Sequence, residues 1–387
     1  DQLGDQHGPP CGRGVDRPAC RSGVLRPVIA TSQRSTGPGT PLQGAFALLD
    51  AAVHDPTVTG VGRLPMRSPA VPFPDGGTAR LDRPDSSPWW RSLDGDWDVR
   101  FFDSLAEVPA SIVTEQGGTW GSIQVPGSWT TQRSADGSRF VQPHYTNVIM
   151  PFDGEPPSVP DQNPVGVHRR SVTVPAEWSG RRVVLRVGAA ESVVAAYVDG
   201  VCVGVGTDSR LPNEFDITAH VRAGRRALVV LVVVRWSAAT WLEDQDQWWH
   251  GGLQRSVTLH STAPTHLVIT TALPGLRPGP GGAGALDLGV GVQGAARTER
   301  GWTVEASVEH LRSGRAGRQL ATTGAMEVPT WNAASEVDQL LSGMFVEPGT
   351  VRSRLEVPGV QPWTHETPTR YRLLVTLRDP DGAVVEV

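Results

Sequence analysis

Residues 227–236 form a nearly unbroken run of valine and leucine, and this run constrains the fold more than any other segment. Its β-branched side chains disfavour a helix, and it falls well short of the ~20 apolar residues that span a bilayer. The economical reading is a strand buried on both faces. Around it lie other short β-like segments, at 92–102, 123–125, 167–174, 182–187, 193–198 and 201–205, separated by Pro, Gly and Asp turns. Asp199-Gly200, between two alternating runs, predicts a two-residue hairpin, because both central positions of a type I′ turn need positive φ. The spacing predicts an all-β fold that opens with a jelly-roll β-sandwich.

A break at residues 261–264 precedes a second set of segments, at 266–273, 286–292, 302–310, 351–357 and 371–377. Seven or so short strands in this length suit an immunoglobulin-like sandwich. The stretch 326–346 is irregular, and the turn at Asp379-Pro-Asp-Gly382 leaves residues 383–387 for a returning strand. The expected organisation is therefore a disordered or misassigned leader over 1–55, a jelly roll over 56–262 and an immunoglobulin-like sandwich over 263–387. The leader is rich in Gly, Pro, Arg and Ser, with little periodicity apart from 45–53. It begins at Asp1 rather than methionine, so the start is expected to be processed or incomplete.

Composition excludes several function classes. A net charge of -5 gives no nucleic-acid footprint, and every one of the 35 basic residues is arginine. High Gly (44) and Pro (33) with few strongly periodic stretches agree with the all-β reading. Cys11, Cys20 and Cys202 cannot build a disulfide framework, and no His or Cys partners complete a zinc site. A reduced cytoplasm is expected. No apolar run reaches ~18 residues, so neither membrane insertion nor a signal peptide is indicated.

Chemistry concentrates in residues 241–253, a carboxylate-rich loop closed by Gly251-Gly252. It sets Glu243, Asp244, Asp246, Trp248 and Trp249 at the rim of the first sandwich, where a rigid scaffold carries binding groups. Two readings stay open: a sugar-site loop, or a solvated acidic loop with packing tryptophans. Trp241, Trp248 and Trp249 either stack on a pyranose ring or enter the core. Asn163, before Pro164, either projects an amide that donates and accepts at sugar hydroxyls or bonds backbone as a turn residue. Glu243 and Asp246 are close enough in sequence to meet either carboxylate spacing of a glycosidase, which makes spacing poor evidence. The Gly-rich string at 279–284 lacks a strand before it and a helix after it, so it is no dinucleotide site. Nucleophile elbow, P-loop and His-Glu-x-x-His are all missing.

Taken in order, Ser92-Leu-Asp-Gly-Asp-Trp97, Val125-Pro-Gly-Ser-Trp129, Tyr145-Thr-Asn-Val148, Asp161-Gln-Asn-Pro-Val-Gly166, Ser209-Arg-Leu-Pro-Asn-Glu-Phe-Asp216, Arg235-Trp-Ser237 and the 241–253 loop resemble glycoside hydrolase family 2, most closely its bacterial β-galactosidases. The likeness covers residues 56–387 and extends to Pro362-Trp-Thr-His-Glu-Thr-Pro368 and Tyr371-Arg-Leu-Leu374. It implies a jelly-roll sugar-binding domain, an immunoglobulin-like domain and then a (β/α)₈ barrel that holds both catalytic glutamates. No catalytic residue is therefore expected in this chain, which alone should be inactive. Asn163 and Asp246 match positions that reach a galactose site, and Asp246 matches a ligand of a monovalent cation, usually sodium. The family's magnesium ligands lie in the barrel, so magnesium and sodium are expected of the complete enzyme and no cofactor of this chain alone. The implied partners are a β-galactoside and a barrel in cis or in trans, with a homo-oligomer in keeping. Departures at Val165, at 167–169 and at 250–253 leave β-glucuronidase, β-mannosidase or a non-catalytic carbohydrate-binding module as alternatives.

Overall fold

A computed structural model describes residues 42–67, 70–115, 117–147, 150–277, 283–312, 315–330 and 349–387. The Gly-rich string at 279–284 and the irregular stretch at 326–346 fall largely outside these residues, as do Cys11 and Cys20.

The Val-rich run becomes the strand Arg226–Val234 in a seven-stranded antiparallel sheet. Its neighbours are Val193–Val198 and Val165–Thr173, both antiparallel to it. Strand alternation sends successive side chains to opposite faces. Val229, Leu231 and Val233 enter a core shared with a five-stranded sheet, which includes Arg182–Glu191 and Gly252–Thr262. Val230, Val232 and Val234 enter a second core on the far face, beside Val193, Ala195 and Tyr197. Both faces are buried, as the run predicts. Each such valine or leucine contributes about 1.5–3 kcal/mol by leaving water.

What covers the far face corrects the last part of the expected leader, whose residues 1–41 lie outside the described residues. Leu42–His54 is a helix, not disordered chain. Leu49, Ala52 and Val53 share one helical face by i, i+3 and i+4 spacing, and all three are buried in the second core. The amide of Ala238 donates to the carbonyl of Val53 at 2.7 Å, fixing the helix end against the residues that follow the central strand.

Asp199 and Gly200 form the expected hairpin, with φ of 47° and 82° and Val198 paired to Val201. Beyond Thr262, seven strands among the described residues form two further sheets around a separate core of Leu288, Val290, Val304, Val351 and Leu377. The turn at residues 379–382 returns the chain as Val384–Glu386, paired to Leu377 and Arg378. Val387 then exchanges two backbone hydrogen bonds of 2.9 Å with Phe73. Arg80 and Arg372 both bind Glu309 at 3.1 Å, so the segment around Phe73 and Arg80 is tied to the second sandwich.

Candidate functional site

The 241–253 loop grows from the end of the central strand. There Asn163 makes a two-way clamp: its Nδ2 donates to the carbonyl of Trp236 at 2.8 Å, and its Oδ1 accepts from the Trp236 amide at 2.9 Å. Its side chain is buried rather than projecting, and one N–H and one lone pair remain beyond this clamp. Asn163 thus bonds backbone 73 residues away instead of its own turn.

Past Trp236 the chain makes the short helix Thr240–Glu243 and then the strand Gln247–Trp249, which pairs with His144–Thr146 as a two-stranded ribbon. Asp246 stands at the start of this ribbon, exposed, and accepts a hydrogen bond from the hydroxyl of Tyr145. That bond raises the Tyr145 pKa, so the phenol stays a donor. Trp248 is 50% exposed, with its ring 5.3 Å from that of Tyr145. One carboxylate, one phenol and one indole are presented together at the surface.

The other loop carboxylates turn elsewhere. Glu243 accepts from the Ser209 amide at 3.0 Å and from the Ser209 hydroxyl, and its burial pushes its pKa up. Asp244 accepts from Thr146 Oγ1 at 3.1 Å, which itself accepts from Trp249 Nε1 at 2.9 Å. Glu243 and Asp246 therefore serve different partners, one buried against Ser209 and one exposed beside Tyr145. Of the tryptophans, Trp249 is fully buried and Trp241 donates to the Ser158 carbonyl at 2.8 Å, leaving Trp248 the exposed one.

Beside the Asn163 clamp lies a cleft of about 290 Å³ lined by Asp103, His144, Gln162, Arg235 and Trp236. Arg235 is 5% exposed; burial lowers its pKa to about 10, partly offset by Glu191, and it stays charged. Burial, then the Arg235 charge, lowers the pKa of His144. Sequence reasoning names Arg235 only within the Arg235-Trp-Ser237 motif and misses His144, a lone histidine between Gln142-Pro143 and Tyr145-Thr146, because the cleft that joins them forms from distant segments.

The loop closes on Gly251 and Gly252, both at positive φ and both against Trp129. A Cβ at Gly251 would lie 2.5 Å from the Trp129 ring. Trp129 Nε1 donates to His168 Nε2 at 3.1 Å, and burial holds the His168 pKa down to about 4, keeping the ring neutral and able to accept. For a cation, Asp246 offers one carboxylate, and among the described residues there is no group of three ligating side chains.

Comparison with known proteins agrees with this fold. Residues 90–263 match the sugar-binding domain of family 2 glycosyl hydrolases. The β-galactosidase of Aeromonas hydrophila is 34% identical over 85% of this chain, which covers 30% of that protein. The β-galactosidase of Arthrobacter sp. is 40% identical over 44% of this chain and is covered to 18%. The chain spans under a third of the length of these curated relatives. The structure of Bifidobacterium dentium β-glucuronidase aligns with 78% of this chain and 48% of its own, at a TM-score of 0.54 and 17% identity. Fold and rim define a pair of β-sandwiches of the kind found in glycosidases. Residues 90–263 belong to the sugar-binding domain of glycosyl hydrolase family 2. No helix among the described residues is long and apolar enough to cross a membrane.

Proposed function

We propose that this chain supplies the sugar-site contacts of a retaining β-galactosidase that hydrolyses terminal non-reducing β-D-galactosides in the cytoplasm. The observation that carries the reading is Asp246, an exposed carboxylate held by Tyr145 beside exposed Trp248. An ionised carboxylate makes short, charge-assisted bonds to sugar hydroxyls, and a contact that tightens in the transition state lowers the barrier. Relatives at 34% and 40% identity bear the name β-galactosidase, whereas the glucuronidase likeness is one of fold. The retaining reaction needs two carboxyl groups about 5–5.5 Å apart, one forming a glycosyl-enzyme and one moving the proton. In this reading a barrel domain, in cis or in trans, brings both, along with magnesium, and completes a sodium site with Asp246. Asn163 then acts through its remaining N–H and lone pair.

A second reading, a free-standing carbohydrate-binding module, draws on the same exposed Trp248 and Tyr145. Hydrolysis of chromogenic β-galactoside, β-glucuronide and β-mannoside by the complete protein and by this chain alone separates these readings. Turnover of the galactoside by the complete protein, and none by this chain, is expected. In that enzyme Asp246→Asn should lower kcat/KM about tenfold to a hundredfold, the loss of one charged hydrogen bond of about 1.5–3 kcal/mol. Unchanged kinetics in a folded variant would remove Asp246 from the site, and firm binding of galactosides by this chain alone would favour the module.

A further inference from the structure

Two buried ionic side chains meet the base of the Asp246 ribbon from opposite polarities. Arg235 Nη2 donates to the carbonyl of Trp249 at 2.8 Å and to that of Gln142 at 3.2 Å. These carbonyls belong to the last residue of one ribbon strand and to the approach to the other. The next two amides along the loop, those of His250 and Gly251, donate to Oε2 of Glu191 at 3.1 and 2.7 Å, and Gln254 Nε2 donates to the same oxygen. Glu191 is fully buried at the end of the strand Arg182–Glu191. Its other oxygen is 3.6 Å from Arg210 Nη2, which reaches Gln247 Oε1 at 3.1 Å, on the residue after Asp246.

We propose that Glu191 and Arg235 are positioning residues for Asp246, an inference that rests on the galactoside-site reading above. Successive backbone groups at 249, 250 and 251 are held by a cation at the carbonyl and an anion at the amides. The three-residue ribbon then carries this fixed base outward to Asp246, over about 10 Å at ~3.3 Å per residue. Burying charge is costly unless hydrogen bonds offset it, and the backbone of the loop supplies them to Arg235 Nη2 and Glu191 Oε2, while Arg235 Nε and Glu191 Oε1 have no hydrogen-bond partner. A loop that only needed to be solvated would not require either.

Hydrogen exchange of this chain, read amide by amide, tests the clamp apart from catalysis. Glu191→Ala should speed exchange at His250 and Gly251 by about tenfold or more, while the amides of Arg226–Val234 keep their protection. Glu191→Gln, which retains an acceptor oxygen, should restore the two amides. If Glu191→Ala does not fold, Glu191→Asp replaces it, since a carboxylate drawn back by one methylene cannot reach both donors and should also speed exchange. Unchanged exchange in the folded variant overturns the clamp. In the complete enzyme, Glu191→Ala should lower kcat/KM about tenfold to a hundredfold. Combined with Asp246→Ala it should cost no more than Asp246→Ala alone. Additive losses overturn the positioning role. If Asp246→Ala alone leaves the kinetics unchanged, the galactoside-site reading fails, and with it the role proposed for the clamp, even where the exchange result stands.

Discussion

Glu386 stands on the last strand of the second sandwich, 2% exposed, with one carboxylate oxygen accepting from the Leu267 amide and the other without a hydrogen-bond partner. Burial pushes its pKa up to about 7, against the lowering effects of the Leu267 amide and of Arg181, Arg67 and Arg182. A carboxyl whose folded pKa lies above its unfolded value favours the folded state while protonated. Its contribution is full below about pH 4.5 and is lost as pH rises through about 7. At about 1.4 kcal/mol per pK unit, the loss between about pH 5 and about pH 8 is about 2.5 kcal/mol. Glu386→Gln keeps an acceptor for Leu267 and carries no charge, so it should lack this slope.

The assay is urea unfolding of wild type and Glu386→Gln at both pH values, comparing the variants rather than absolute stabilities. That difference matters because His168, His260 and His266 titrate the other way. Burial holds their pKa values down to about 4, 3 and 4, so they cost stability as pH falls below the ordinary histidine range. Subtracting the variant removes their share. Wild type should lose about 2.5 kcal/mol more than Glu386→Gln on going from about pH 5 to about pH 8. Equal pH slopes would refute the reasoning and mean that the neighbouring arginines, not burial, govern this carboxyl.

Two stability predictions follow from packing. Leu49→Ala should cost about 2–5 kcal/mol by opening a cavity between helix and sheet, read as a lower urea midpoint; a change below about 1 kcal/mol would mean that the helix is not part of the core. Gly251→Ala combines positive φ with a Cβ 2.5 Å from Trp129, and should cost more than about 1 kcal/mol, whereas neutral stability would show that Trp129 yields.

What could be read from the sequence divides along a physical line. The hairpin at Asp199-Gly200 and the doubly buried strand through Val229 to Val234 were legible because their causes are local, namely the φ > 0 demanded by a tight turn and an unbroken β-branched run. The helix Leu42–His54 left only the periodicity at 45–53 as a trace, since its apolar face is only three or four residues deep and is stabilised by a sheet that forms more than a hundred residues later. Helices of that length are marginal without tertiary packing. The same distinction governs the site. The pattern of the loop marked Glu243, Asp244 and Asp246 alike, and only the family resemblance singled out Asp246, which does lie at the surface. Asn163 could be singled out too, but not its clamp on Trp236, which exists only once two distant segments are adjacent. Glu191 gave no signal at all: a lone acid at the end of an apolar strand reads as a strand terminus. Its meaning comes from three donors at 250–254 that converge on one oxygen. Residues that touch a ligand tend to sit in recognisable loops, whereas those that hold such loops in place are defined by non-local backbone geometry. The supports of a site are therefore where a structure adds most to a sequence.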